Sequence, residues 1–208
     1  MQGLIDGFRR FRENYFEEKR ELFSALATGG QAPKVLLIGC CDSRVDPTTI
    51  FCSQPGDLFV LRNVANLVPP YAPDSGHHGT SAAVEFAVRN LEVKHIVVLG
   101  HAGCGGVKAL LDQQASEGSD FISGWMEIAR TARDRALALT LSAGQPIESA
   151  RRMCEHETVA ISMANLMTFP WVRERVQDGR LAVHGLYFDL EDGALFRLDP
   201  GTNAFQRV

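Results

Sequence analysis

Hydrophobic positions along this chain follow two periods, and the switches between them mark out its elements. Over residues 4–26, Leu4, Phe8, Phe11, Tyr15, Leu22 and Phe23 stand among charged residues at helical spacing. That pattern predicts an N-terminal helix with one apolar stripe, stopped by Gly29 and Gly30. Residues 34–39 read differently: Val35, Leu36, Leu37 and Ile38 run without alternation, the mark of a strand covered on both faces in a parallel sheet. A second such run lies at 95–99, and a shorter strand is predicted over 57–61. Pro47 opens a helical turn over 48–51, closed by Pro55 and Gly56, and the proline-rich stretch 68–78 reads as a loop. Helical spacing returns over 79–91, with Ala83, Phe86, Ala87 and Leu91 inward, and again from about Gly106. Two longer helices are predicted over 121–141 and 147–168, parted by Gly144-Gln145-Pro146. A helix over 170–177 takes Pro170 at its first position and Gly179 as its cap. Strands near 181–188 and 194–198, joined by Glu191-Asp192-Gly193, predict a hairpin.

Strands alternating with helices predict an α/β fold. Its mostly parallel central β-sheet is flanked by helices, with an antiparallel edge strand from the last hairpin and an extended N-terminal helix. With no repeat or low-complexity segment, residues 1–208 are expected to form a single domain, comprising a helical arm (1–30) and an α/β core (31–208). A net charge of −4 gives no reason to expect nucleic acid or an anionic membrane as partner. The apolar runs are of strand length, which predicts no membrane span, and the first ten residues show no signal-peptide core. Five cysteines, two of them adjacent, do not read as a secreted disulfide framework. They fit a reduced, cytoplasmic setting in which cysteine serves a metal.

In open α/β sheets, ligands bind beyond the carboxyl ends of the strands. Cys40 and His101 are expected just past two such ends, with Cys104 three residues after His101. Two thiolates and an imidazole suit Zn²⁺, and three protein ligands leave a fourth position open, as catalytic rather than structural zinc sites do. Gly103, Gly105 and Gly106 permit a tight loop, and the start of a helix beside Cys104 favours its thiolate. Asp42 and Arg44, two apart on a stretch read as extended, point the same way and can form a forked ion pair beside that position.

These segments, Cys40-Cys41-Asp42-Ser43-Arg44 and Gly100-His101-x-x-Cys104-Gly105-Gly106, resemble the β-class carbonic anhydrases. The likeness runs through Gly56-Asp57-x-Phe59-x-x-Arg62-Asn63-x-Ala65-Asn66 and Gly79-Thr80-Ser81-Ala82-Ala83. It reaches Asn165-Leu166 and His184-Gly185, so it covers roughly residues 25–198. The resemblance implies reversible hydration of CO₂ to bicarbonate and a proton, with one Zn²⁺ per subunit and zinc-bound hydroxide as nucleophile. It makes Cys40, His101 and Cys104 the metal ligands, Asp42 and Arg44 catalytic, and Asp42 a conditional fourth ligand. It places Gln31, Phe59, Val64, Phe86 and Gly105 in the substrate pocket. Leu37 and Phe188 stand where members regulated by bicarbonate carry tryptophan and tyrosine, and Gln31 matches the plant-like type, so the open, Asp42–Arg44-paired form is expected. The family also implies a homodimer or homotetramer, with the N-terminal helix embracing the partner.

Two alternatives stand beside this reading. One is hydrolysis of a related cumulene, COS or CS₂, on the same scaffold; the other is a non-catalytic zinc-stabilised binding protein with a closed four-ligand site. Other chemistry-bearing residues are read as structural. Cys41 is expected to point into the core from the opposite face of the strand, and Cys52 and Cys154 to act as small buried hydrophobes. Cys154 and His156 are spaced wrongly for a second metal on one helix face, and His184 reads as a satisfied structural histidine. His77 and His78 read as a solvated loop pair, with a proton relay as the alternative.

Overall fold

The two unbroken apolar runs lie side by side in the middle of a six-stranded sheet. The computed structural model describes residues 1–112, 119–146 and 149–208. Its strands are β1 (Val35–Cys40), β2 (Leu58–Asn63), β3 (His95–His101), β4 (Ala182–Asp189), β5 (Ala194–Asp199) and β6 (Ala204–Arg207), in the order β2-β1-β3-β4-β5-β6. β2, β1, β3 and β4 pair in parallel, while β5 and β6 add antiparallel. Leu36, Leu37 and Ile38 are buried on both faces of β1, which is why this strand shows no alternation.

The helices are α1 (Gln2–Arg10), α2 (Arg20–Gly29), α3 (Pro47–Ile50), α4 (Gly79–Glu85) and α5 (Gly105–Leu111), then α6 (Ile122–Met126), α7 (Arg130–Ser142), α8 (Ser149–Leu166) and α9 (Pro170–Gln177). None of them is long and apolar enough to cross a membrane among the described residues. One apolar cluster packs Leu36, Ile38, Ile96 and Val98 together with Val84, Val88, Val159, Leu166 and Val172. A second cluster, at the carboxyl end of the strands, gathers Cys40, Cys104, Ala65, Val107 and Met126.

Several expectations are corrected. The arm is not one helix: Phe11–Phe16 winds as a π-turn, and Lys19 (φ −104°, ψ 21°) breaks the run before α2. The wider turn brings Phe11, Tyr15, Phe16 and Phe23 into one aromatic cluster, with Phe16 and Phe23 centred 4.9 Å apart. The same device follows α4, where a π-turn over Phe86–Asn90 buries Ala87 and Val88. Phe86, expected inward, is thereby carried outward and stacks on Phe59 at 5.9 Å. The helix expected over 121–141 is split by a tight 3₁₀ turn between α6 and α7. Residues 147 and 148 of the predicted 147–168 helix lie outside the described residues.

β6 was not foreseen, since its four residues carry little apolar pattern; Phe205 packs it onto the core. Cys41 is exposed rather than buried, because β1 ends at Cys40 and strand alternation stops there. Cys52 is exposed too, in a left-handed turn (φ 47°) after α3, whereas Cys154 is buried as expected. His184 meets His95 on the neighbouring strand, with Nε2 and Nδ1 3.2 Å apart.

Candidate metal centre

Cys40 is the last residue of β1 and His101 the last of β3, so both ligands end adjacent parallel strands rather than following them. After His101 the chain turns through Gly103 at φ +72°, a conformation that favours glycine, and returns Cys104 to the same side. α5 starts at Gly105. A Cβ on Gly106 would sit 2.8 Å from Val64 Cγ1, so glycine there lets the helix pack on the turn over Val64–Asn66. Asn63 braces that turn, accepting the N–H of Leu67 at 3.0 Å and donating to its carbonyl at 2.8 Å.

The Sγ atoms of Cys40 and Cys104 lie 4.0 Å apart, and these two and a His101 ring nitrogen all fall within 4.8 Å of one another. A tetrahedral zinc with Zn–S bonds of about 2.3 Å sets its sulfurs about 3.8 Å apart, so the donor set fits that ion. His101 Nδ1 lies 2.9 Å from the carbonyl of Ala102, which assigns the proton to Nδ1 and leaves the Nε2 lone pair for a ligand. Nε2 is buried and has no hydrogen-bond partner among the described residues. A bound cation would satisfy this atom.

The two Sγ atoms lie within hydrogen-bonding distance of each other. That contact with Cys104 is the chief cause that draws the Cys40 thiol down, with His101 and the N–H groups of Asp42 and Ala65 helping against burial. Cys104 is pushed up by that same contact and by burial. A bound divalent cation would allow both to ionise in so dry a place.

Asp42 and Arg44 form the forked pair, although on a turn rather than an extended stretch: the N–H of Val45 reaches the carbonyl of Asp42 at 3.2 Å. Asp42 Oδ1 accepts from Arg44 Nε at 2.9 Å and from the Arg44 N–H at 3.0 Å, and Oδ2 accepts from Nη2 at 2.7 Å. Arg44 thereby holds the Asp42 carboxyl well below the usual carboxylate range. Oδ2 stands 3.9 Å from His101 Nε2, at the rim of the ligand set. Arg62 clamps the loop from below, donating to the carbonyls of Cys40 at 2.9 Å, Asp42 at 2.7 Å and Val45 at 3.0 Å. Spacing along the chain gives Arg62 no role of its own. Its in-register position beside Gly39, one residue before the ligand, is the signal that assigns one.

The predicted pocket residues divide into two groups. Val64 and Gly105 adjoin the ligands, and Val64 with Asn63 also borders a cavity of about 650 Å³ reaching His77, His78 and Trp125. Phe59 pairs in register with Leu36, whereas Cys40 pairs with Asn63. At about 3.3 Å per residue that puts Phe59 about 13 Å down the sheet from the metal centre. Phe86 stacks on Phe59, and Gln31 is exposed before the start of β1, so a single chain does not bring these three to the ligands.

A sequence profile of the family described as carbonic anhydrase matches residues 35–195. A carbonic anhydrase from Pseudomonas aeruginosa is 40% identical over 207 residues, covering 99% of this chain and 90% of that protein. The structure of the β-carbonic anhydrase CcaA superposes with a TM-score of 0.92 at 35% identity, covering 100% of this chain and 92% of that one. This chain belongs to the β-carbonic anhydrase family. Beta carbonic anhydrase 6, mitochondrial, of Arabidopsis thaliana is 40% identical over 190 residues, 90% of this chain; the match spans 64% of the length of that relative. The β-carbonic anhydrase fold accounts for the mostly parallel sheet with antiparallel edge strands seen here.

Proposed function

We propose that this chain hydrates CO₂ reversibly to bicarbonate and a proton, at a zinc ion held by Cys40, His101 and Cys104. Carbonate dehydratase activity accompanies membership of the family. Zinc bound by three such ligands acts as a Lewis acid and brings the pKa of a water in its open position towards neutrality. The chain's own residues supply the rest. Nδ1 of His101 is committed to Ala102, so the ring presents Nε2. Asp42 stays ionised because Arg44 holds both its oxygens, and an ionised carboxylate can only accept. A donor in the fourth position is therefore oriented by Asp42, with its lone pair left for the substrate. Val64 borders a mostly apolar cavity with Trp125 and Ile128, a lining that suits a small uncharged molecule.

The observation that carries this reading is the convergence of three soft donors, with the neighbouring carboxylate turned away onto Arg44. That pairing supports the open-site form, as does Leu37, buried in β1. We further propose a homodimer or homotetramer in a reduced, cytoplasmic compartment. Leu4 and Phe8 of α1 are 75% and 60% exposed, and the Phe59–Phe86 stack lies at the β2 edge of the sheet. An assembly covering both would let Gln31, Phe59 and Phe86 line a neighbouring subunit's site. The test is stopped-flow CO₂ hydration across pH for the native protein and Asp42→Asn. Losing a positioned proton acceptor predicts a fall of about 100-fold with zinc retained. An unchanged pH–rate profile refutes the role of Asp42.

A further inference from the structure

Glu155 of α8 is 3% exposed, and a carboxylate is seldom so buried unless both oxygens are engaged. Its Oε1 accepts the backbone N–H of Cys104 at 3.1 Å, and its Oε2 accepts the Tyr187 hydroxyl at 2.7 Å. Arg151 Nε lies 3.5 Å from Oε1. Tyr187, on β4, is fully buried, with His156 edge-on at 4.4 Å and Phe205 at 5.9 Å. The amide that Glu155 holds belongs to the peptide bond between Gly103 and Cys104. The oxygen of that same peptide accepts from Arg44 Nη2 at 3.0 Å. Because a peptide is planar, gripping its oxygen and its N–H fixes its orientation, and with it the place of Cys104. A continuous chain of hydrogen bonds thus runs from Tyr187 through Glu155, the 103–104 peptide and Arg44 to Asp42.

Docking of α8 onto the sheet does not depend on this carboxylate. A Cβ on Gly100 would lie 2.6 Å from Val159 Cγ2, and one on Gly185 would lie 2.9 Å from Val159 Cγ1, so the helix already sits directly on β3 and β4. We infer that Glu155, locked by Tyr187, is a positioning residue of the metal centre, holding the peptide that carries Cys104 and tying it to the Asp42–Arg44 pair. The inference rests on the zinc reading above.

The experiment compares native protein with Glu155→Ala, Glu155→Gln and Tyr187→Phe, each zinc-loaded. It measures zinc transfer to a chelator, the thiolate-to-cobalt charge-transfer spectrum after Co²⁺ substitution, and thermal unfolding. Removing an outer partner of a metal ligand weakens metal binding by about 10–100-fold, and that loss is expected for Glu155→Ala, with a shifted cobalt spectrum. Glu155→Gln still offers an acceptor to the Cys104 amide and stays within about 3-fold of native, while Tyr187→Phe falls between the two. Native-like zinc transfer and cobalt spectrum in folded Glu155→Ala overturn the inference. Should that variant not fold, native-like behaviour of Tyr187→Phe overturns it instead. Cys104→Ser is the control: if it keeps native zinc affinity, the zinc reading itself fails, independently of Glu155.

Discussion

Replacing Arg44 by alanine tests the geometry on which the proposed reaction depends. Arg44 gives Asp42 two charge-assisted bonds, at 2.9 and 2.7 Å; the remaining anchor, the residue-44 N–H at 3.0 Å, survives the substitution. Charge-assisted, two-pronged pairs of this kind fix geometry well, but the Arg44 side chain is 57% exposed, so solvent weakens the fork and its main effect is on where the carboxylate points. Freed, the carboxylate can turn towards His101 Nε2, 3.9 Å away, where the ligand atoms converge. Misplacing a positioned group by about 1 Å can cost about 100-fold in rate; the surviving N–H anchor limits the loss, so kcat is expected to fall by about 10- to 100-fold, with zinc content unchanged. Lysine keeps the charge but not the fork, so Arg44→Lys is expected to recover only part of the loss. The pH dependence has a definite sign. Arg44 depresses the folded-state pKa of Asp42, so the pair's stabilisation is complete above the ordinary value of 3.8 and is lost as pH falls below it. Without Arg44 the Asp42 carboxyl returns towards that value, so the variant is expected to lose less stability than native protein as pH falls below it. Stopped-flow hydration with zinc analysis checks the first point, and acid unfolding checks the second. A folded Arg44→Ala protein with full zinc and native kcat refutes the reasoning.

Two further outcomes concern a buried histidine and the five thiols. His156 is held neutral, down to about 4 from 6.5, by burial and by Arg152, with Tyr187 and Phe205 packed at 4.4 and 4.2 Å. Its contribution is therefore full above pH 6.5 and lost as pH falls towards 4. His156→Phe fills the aromatic slot without the charge, so native protein should lose about 2 kcal/mol more than this variant between pH 7 and 4 in urea unfolding. Parallel pH curves for the two proteins would contradict that. Thiol counting tests the ligand set: the exposed Cys41 and Cys52 should react in the zinc-loaded protein, and Cys40 and Cys104 only after chelation. Cys154, buried and pushed up to about 12, should wait for unfolding. A thiol count that chelation does not change would rule out cysteine ligation.

The sequence alone determined the parallel centre of the sheet and the group of three candidate metal donors at its end. Both are local: four apolar residues in a row need cover on two faces, and His101 and Cys104 are a turn apart. Asp42 and Arg44 are legible for the same reason, although a turn pairs them rather than the extended stretch that their spacing suggests. What only the tertiary structure decided depends on residues distant in the chain. Phe86 faces outward because a π-turn rotates its helix against the sheet, and Cys41 is exposed because β1 stops at Cys40. β6 exists because Phe205 finds a place beside Tyr187 and His156, not because its residues favour a strand. Glu155 is the sharpest case. Along α8 nothing separates it from Glu157, two residues on, which meets Arg135 at 3.2 Å. Only the packing of Val159 over Gly100 and Gly185 brings α8 near enough for Glu155 to grip the peptide before Cys104. Spacing can name the atoms that bind a metal, but a partner that holds them in place is chosen by how helix and sheet approach each other.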